Sequence, residues 1–179
     1  MPRIKQLQMD EVQTWTKNLF RKVEQGLGVL PNMFKCMGNS DVTLDGFLGL
    51  NAGLNAGKLG PKNVKLIILS TSQLNDCEYC VAAHTKMALD AGLLTEEECL
   101  NARRIKGPDE KTTKMLEFSK KIKETSGKVT DDDIKRVKDA GFSDVEIIEM
   151  IGTIALISIA NYVSNVAQPD LDFPEAPKV

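Results

Sequence analysis

With 179 residues, 42% hydrophobic and 27% charged, the chain is long enough for one apolar core that buries roughly 70% of its unfolded surface, and a single domain over 1–179 is expected. A net charge of −2 and a pI near 5.5, with no basic run interleaved with aromatics, exclude the electrostatic footprint of a nucleic-acid binder and leave a small molecule or a protein as partner. Met1-Pro2-Arg3-Ile4-Lys5 runs into polar residues without a secretory apolar stretch, which predicts a reducing cytoplasmic setting where a close cysteine pair is catalytic or metal-binding rather than a structural staple.

Helical periodicity recurs along the chain and alternating β-branched runs do not, so the expected class is all-α. Val12, Trp15, Leu19, Phe20 and Val23 predict a helix from Met9 to about Gln25, broken by Gly26, Gly28 and Pro31. A second helix is expected from Ser40 or Asp41 to Ala56. Its near-repeat Leu50-Asn51-Ala52-Gly53 and Leu54-Asn55-Ala56-Gly57 is too short for a solenoid and reads as close helix packing. Gly60-Pro61 opens a third, through Ile67 and Leu74 to about Asn75-Asp76, with Pro61 where a missing donor is tolerated.

A fourth helix is predicted from Glu78 to Ala91, closed by Gly92. Thr95 with Glu98, Thr130 with Asp133 and Ser143 with Glu146 read as capping boxes, starting helices at about 95–104, 131–140 and after 143. Between the first two, Met115, Phe118 and Ile122 among many lysines predict an amphipathic surface helix over 109–125. The apolar run Ile147 to Ala167 is interrupted by Glu149 and by Thr153, Ser158, Asn161, Ser164 and Asn165, so a buried helix covered by its own fold or by another subunit is expected rather than a membrane span. The Pro-rich tail over 168–179 should be extended and wrap a neighbour.

The chemistry concentrates in Cys77-Glu78-Tyr79-Cys80-Val81-Ala82-Ala83-His84, two cysteines and the only histidine within eight residues. On a helix, Cys80 and His84 share a face one turn apart, with Cys77 three residues earlier. A thiolate, not a thiol, is the nucleophile. The helix N-terminus and His84 are the two sources that favour it here. Cys80 has the better claim to His84, so Cys80 is assigned as the thiolate that a hydroperoxide oxidises to sulfenic acid, and Cys77 as the resolving thiol. The reverse order, Cys77 attacking, stays open for exchange with a protein disulfide.

Other readings of the same residues are weaker. A structural zinc site would need Cys36, Cys99 or a partner chain as fourth ligand, and Val81 after the second cysteine excludes haem attachment. Cys36 and Cys99 read as buried apolar residues, and Tyr79 as a pocket wall. Asp131-Asp132-Asp133 is explained by a helix first turn rather than a metal, and Gly53-x-x-x-Gly57-Lys58 lacks a phosphate-loop spacing. No cofactor and no metal are called for.

Set between Leu59-Gly60-Pro61-Lys62 and Ala91-Gly92-Leu93, the pattern Cys77-x-x-Cys80-x-x-x-His84 resembles the alkyl hydroperoxidase D (AhpD) group of the carboxymuconolactone decarboxylase family, most closely over 40–105. Leu30-Pro31-Asn32-Met33-Phe34 also resembles its peroxidase-related members. The resemblance implies an antiparallel helical bundle with the motif at the N-terminus of a central helix. It further implies a homo-oligomer (trimer or hexamer, or a dimer), and thiol-dependent hydroperoxide or disulfide reduction in antioxidant defence, with a lipoyl-type or thioredoxin-like reductant. It agrees with Cys80 attacking, Cys77 resolving and His84 relaying the proton. The family's relay glutamate falls at Lys65, which cannot act as a carboxylate; Glu78, Glu98, Glu146 and Glu149 are the other acids to consider, and Lys65 also reads as a solvated or interface lysine. Slower peroxidase turnover follows. A redox sensor or scaffold whose disulfide alters assembly is the alternative, and lactone decarboxylation a lesser one, since decarboxylase members usually lack the cysteine pair.

Overall fold

The computed structural model describes residues 1–179 and is helical with no strand. In chain order the helices are α1 Thr14–Leu27, α2 Asn32–Met37, α3 Asp41–Asn55, α4 Gly60–Leu74, α5 Glu78–Asp90, α6 Glu96–Arg103, α7 Glu110–Thr125, α8 Asp131–Asp139 and α9 Asp144–Ala167. α4 is the axis of the bundle. Val64, Leu66, Ile67, Ile68, Leu69 and the hydroxyl residues Ser70, Thr71 and Ser72 are all buried on it, so neighbours must cover it nearly all round; α9, α5, α6, α7 and α3 do so.

The start of α4 is held from a distance. Leu59 is already helical and offers no side-chain cap; instead Glu149 of α9 accepts the N–H groups of Lys58 (3.1 Å) and Leu59 (2.6 Å), placing a carboxylate where orphan donors and the helix dipole favour one. Gly57 makes room for it, because a Cβ there would lie 2.7 Å from that carboxylate. At the other end Lys123 donates to the Leu74 carbonyl at 2.8 Å, a cation at the dipole's negative end.

Most predicted elements match within two or three residues, including all three capping boxes, each closed in both directions. Three differ. α1 begins at Thr14 rather than Met9, because Glu11 accepts the Gln8 N–H (2.8 Å) and the Lys5 ammonium (2.5 Å) and holds the preceding residues in a turn. α2 was not foreseen: six residues cannot display a helical period, yet Met33, Phe34, Cys36 and Met37 are buried on it. The tail crosses its own chain, as described below.

α9 is long and apolar enough to span a membrane, but half of its most apolar stretch is buried within the fold. Its outer side carries Val145, Ile148, Ile151, Ile159, Tyr162 and Val166, all exposed.

Candidate active site

A two-residue turn joins α4 to α5, and Asp76 takes a left-handed φ of 49° to make it. The turn delivers Cys77 to the N-cap of α5, where its Sγ accepts the backbone N–H of Cys80 at 3.3 Å. A sulfur in that position is stabilised as a thiolate by the unpaired amides of the first turn. Both cysteines are reduced and buried, Cys77 1% and Cys80 2% exposed.

α9 contributes polar partners that the sequence presented only as interruptions of an apolar run. Cys80 Sγ lies 3.6 Å from Ser164 Oγ. Asn161, wholly buried, donates to Ser72 Oγ at 3.1 Å and accepts from Asn75 Nδ2 at 2.9 Å. The Cys80 thiol hydrogen-bonded to Cys77 lowers the Cys77 pKa, aided by Ser164 and Asn161 and opposed by burial. The same contact, with burial, pushes Cys80 well above the ordinary thiol value. Of the pair, Cys77, held by the helix N-terminus, is therefore the sulfur that ionises first, and Cys80 the one that keeps its proton.

On the far side of Cys80, Lys65 Nζ lies 3.1 Å from His84 Nδ1. Burial lowers Lys65 to about 8, only partly offset by nearby Cys99. Burial and then the Lys65 charge hold His84 well below its usual range. At neutral pH Lys65 is thus the cation and His84 a neutral ring. An ammonium can only donate, so Nδ1 accepts and the ring proton sits on Nε2. No hydrogen bond joins Cys80 to His84; the pairing expected from spacing gives way to Lys65–His84, although Cys80, His84 and Lys65 line one cavity.

The two sulfurs open to different spaces. Cys80 faces a cavity of about 320 Å³ walled by Phe34, Phe47, Ile68 and Met87. Cys77 faces one of about 570 Å³ with Gln73, Asp76, Glu78 and Arg103, roofed by Leu171, Glu175 and Lys178 of the tail. Tyr79, between them, is a wall as expected and also the tail's anchor. Its hydroxyl donates to Asp172 at 2.6 Å and accepts the Met33 N–H at 3.1 Å. Asp172 further accepts the Asn32 N–H at 2.7 Å, and Phe173 packs edge-on against the Tyr79 ring. Burial, then the Asp172 bond, raises the phenol's pKa, so Tyr79 stays a neutral donor. Arg103 ties the tail's end by donating to the Pro177 carbonyl at 2.6 Å.

The other candidates fall elsewhere. Glu98 pairs with Lys62 at 2.7 Å and caps α6, Glu146 caps α9, and Glu149 caps the approach to α4. Glu78 alone of the four acids borders the cysteine pair, on the Cys77 side. Cys36 is buried with its thiol donating to the Ile4 carbonyl at 3.4 Å, and Cys99 is buried on α6. No group of three or more His, Cys, Asp or Glu is arranged to hold a metal ion.

Residues 43–121 match the carboxymuconolactone decarboxylase family. No curated protein matches the sequence. Among solved structures, the chain is similar to an alkylhydroperoxidase AhpD core, an uncharacterized peroxidase-related protein from Ralstonia eutropha, at 19% identity and TM-score 0.85 over 96% of this chain and 92% of that one. A peroxidase-related protein from Silicibacter aligns at 22% identity and TM-score 0.79 over 97% of each chain. The debrominase Bmp8, seen in complex with 2,3,4-tribromopyrrole, aligns at 20% identity and TM-score 0.75 over 95% and 91%. The segment from α3 to α7 thus matches the carboxymuconolactone decarboxylase family, and the fold around it is that of AhpD-like structures.

Proposed function

We propose that this protein reduces organic hydroperoxides with the Cys77–Cys80 pair, in antioxidant defence in the cytoplasm. The carrying observation is that Cys80, joined to a helix-capping Cys77, opens into the apolar cavity that also holds the Lys65–His84 pair. Cys80 first passes its proton to the Cys77 thiolate. Its sulfur then attacks the terminal peroxide oxygen, the O–O bond breaks, and the departing alkoxide takes the Nε2 proton of His84 while Lys65 hands a proton to Nδ1. Cys77 next attacks the Cys80 sulfenic acid; the S–S bond forms, and hydroxide leaves with the Cys77 proton as water. A dithiol reductant, lipoyl-type or thioredoxin-like, reopens the disulfide. Because Cys80 is the protonated sulfur at rest, this chemistry is slow compared with a site whose attacking thiol is the ionised one.

The test is stopped-flow consumption of cumene hydroperoxide by reduced protein, with sulfenic acid trapping. Cys80→Ser abolishes the reaction and Cys77→Ser halts it at a trappable sulfenic acid if the roles are right. Rates equal to free thiol in all forms would refute peroxidase chemistry and favour the redox sensor, whose mark is a change of assembly on oxidation. The exposed apolar side of α9, beside the uncovered Gly46, Gly49 and Gly53 of α3, supports a homo-oligomer; light scattering of Ile148→Lys against wild type checks it.

A second reading is reductive dehalogenation, in which the pair gives two electrons, a carbon–halogen bond becomes C–H, and the disulfide and hydrogen halide form. The phenylalanine-walled cavity favours it, since it suits a small apolar ring; halide release from a brominated pyrrole separates it from peroxide reduction.

A further inference from the structure

The Cys80 cavity holds one cation and no group of this protein to balance it. Of its 16 lining residues 11 are hydrophobic, none is Asp or Glu, and Lys65 is the one lysine or arginine. No carboxylate lies within 4 Å of Lys65. Its ammonium has three N–H groups, and the protein supplies an acceptor to one of them, His84 Nδ1. The cavity's other polar groups do not compensate. The Tyr79 hydroxyl donates to Asp172, and the Asn55 amide is turned back on Asn51, to its backbone carbonyl at 2.8 Å and its side-chain oxygen at 3.1 Å. A half-buried cation with spare donors in an apolar cavity is costly unless an anion meets it, and a charge-assisted hydrogen bond in such a space is stronger than one in water.

The geometry points to Lys65 as an anion-recognition residue that selects apolar ligands bearing a carboxylate, the ligand's hydrocarbon lying against Phe34, Phe47 and Met87 and its carboxylate on the two free N–H groups. Resting on the peroxidase reading, this names the substrate class as hydroperoxides of carboxylic acids rather than neutral alkyl hydroperoxides. Lys65 can serve both purposes, since the N–H that feeds His84 is not one of the two that face the ligand.

The probes are octanoate and octanamide, of equal length and shape but different charge, titrated calorimetrically into the reduced protein. Wild type should bind octanoate about tenfold more tightly than octanamide, the worth of one charge-assisted contact. Lys65→Met, a neutral side chain of similar length, should bring octanoate down to the octanamide level and leave octanamide binding in place, while Lys65→Arg keeps the preference. Equal binding of the two probes, binding of neither, or a preference that survives in Lys65→Met overturns the proposal. Turnover of a fatty-acid hydroperoxide, measured beside neutral cumene hydroperoxide, separates it from the reading it rests on. Turnover without carboxylate preference overturns the ligand class alone, and carboxylate preference without turnover supports it while refuting the peroxidase.

Discussion

Replacing Lys65 by methionine should make the protein more stable while disabling the site. Burial moves this amine from 10.5 to about 8, and at about 1.4 kcal/mol per pH unit the charged form costs the native state about 3 kcal/mol. The sign follows from the depressed native value. Below about pH 8 the lysine is charged in both native and unfolded chains and the full penalty is present; between about 8 and 10.5 the unfolded chain binds the proton and the native one does not, so wild-type stability rises with pH. Methionine occupies much the same volume and suits the apolar wall. Urea unfolding of the reduced proteins should therefore place Lys65→Met about 3 kcal/mol above wild type near pH 7, and the gap should narrow by about 2 kcal/mol near pH 9.5. A methionine variant no more stable than wild type at neutral pH, or a gap that does not change with pH, would refute the reasoning. Stability gained at the expense of activity is the behaviour of a residue kept for chemistry rather than for folding.

Three further outcomes follow from the same geometry. Because the Cys77 pKa is lowered and that of Cys80 raised, iodoacetamide near pH 7 should modify Cys77 first, as read by peptide mass spectrometry; preferential labelling of Cys80 would reverse the charge assignment. Asn161→Leu removes the partner of Asn75 and Ser72 and should cost about 2 kcal/mol in denaturant unfolding. It also removes one group that stabilises the Cys77 thiolate, so the thiolate absorbance should titrate at higher pH than in wild type. Gly57→Ala sets a methyl 2.7 Å from the Glu149 carboxylate, displaces it from the Lys58 and Leu59 amides, and should lower stability by about 1–3 kcal/mol; an unchanged melting temperature would mean that the cap contributes nothing.

What could be read from sequence here was local. The capping boxes, the Gly60-Pro61 start and the Gly92 stop are each set by residues within one turn of the feature they produce, and the N-cap position of Cys77 follows from the turn that precedes it. What stayed hidden involves residues far apart in the chain. Ser164 meets Cys80 and Asn161 meets Ser72 across more than 80 positions, and Asp172 meets Tyr79 across 93. Their signal was present, as polar residues in an otherwise apolar helix and an acid in a proline-rich tail, but nothing local assigns them a partner. The Cys80–His84 pairing failed for a related reason: four-residue spacing brings two side chains to one face but does not decide which neighbour a ring nitrogen meets, and Lys65 from α4 meets it first.

The inequality of the two sulfurs also predicts where a reductant enters. In thiol–disulfide exchange the sulfur of lower pKa is the better leaving group, so attack on Cys80 expels Cys77 as the thiolate its helix N-terminus already stabilises, whereas attack on Cys77 must expel Cys80 as an unfavourable buried anion. The wider opening, however, is at Cys77. If access governs, a bulky protein thiol attacks there; if leaving-group chemistry governs, a slender thiol reaches Cys80 through the apolar cavity. The tail decides between them, because Leu171, Glu175 and Lys178 lie across the Cys77 side, tied down by the Arg103–Pro177 contact, whereas Phe173 alone of the tail borders the Cys80 cavity. Oxidised protein mixed with a limiting aliphatic monothiol should therefore carry the adduct on Cys80 and leave Cys77 free to be alkylated. An adduct on Cys77 would mean that exposure outweighs acidity at this site, and would favour a reductant that docks on the protein surface over one that threads a narrow arm into the cavity.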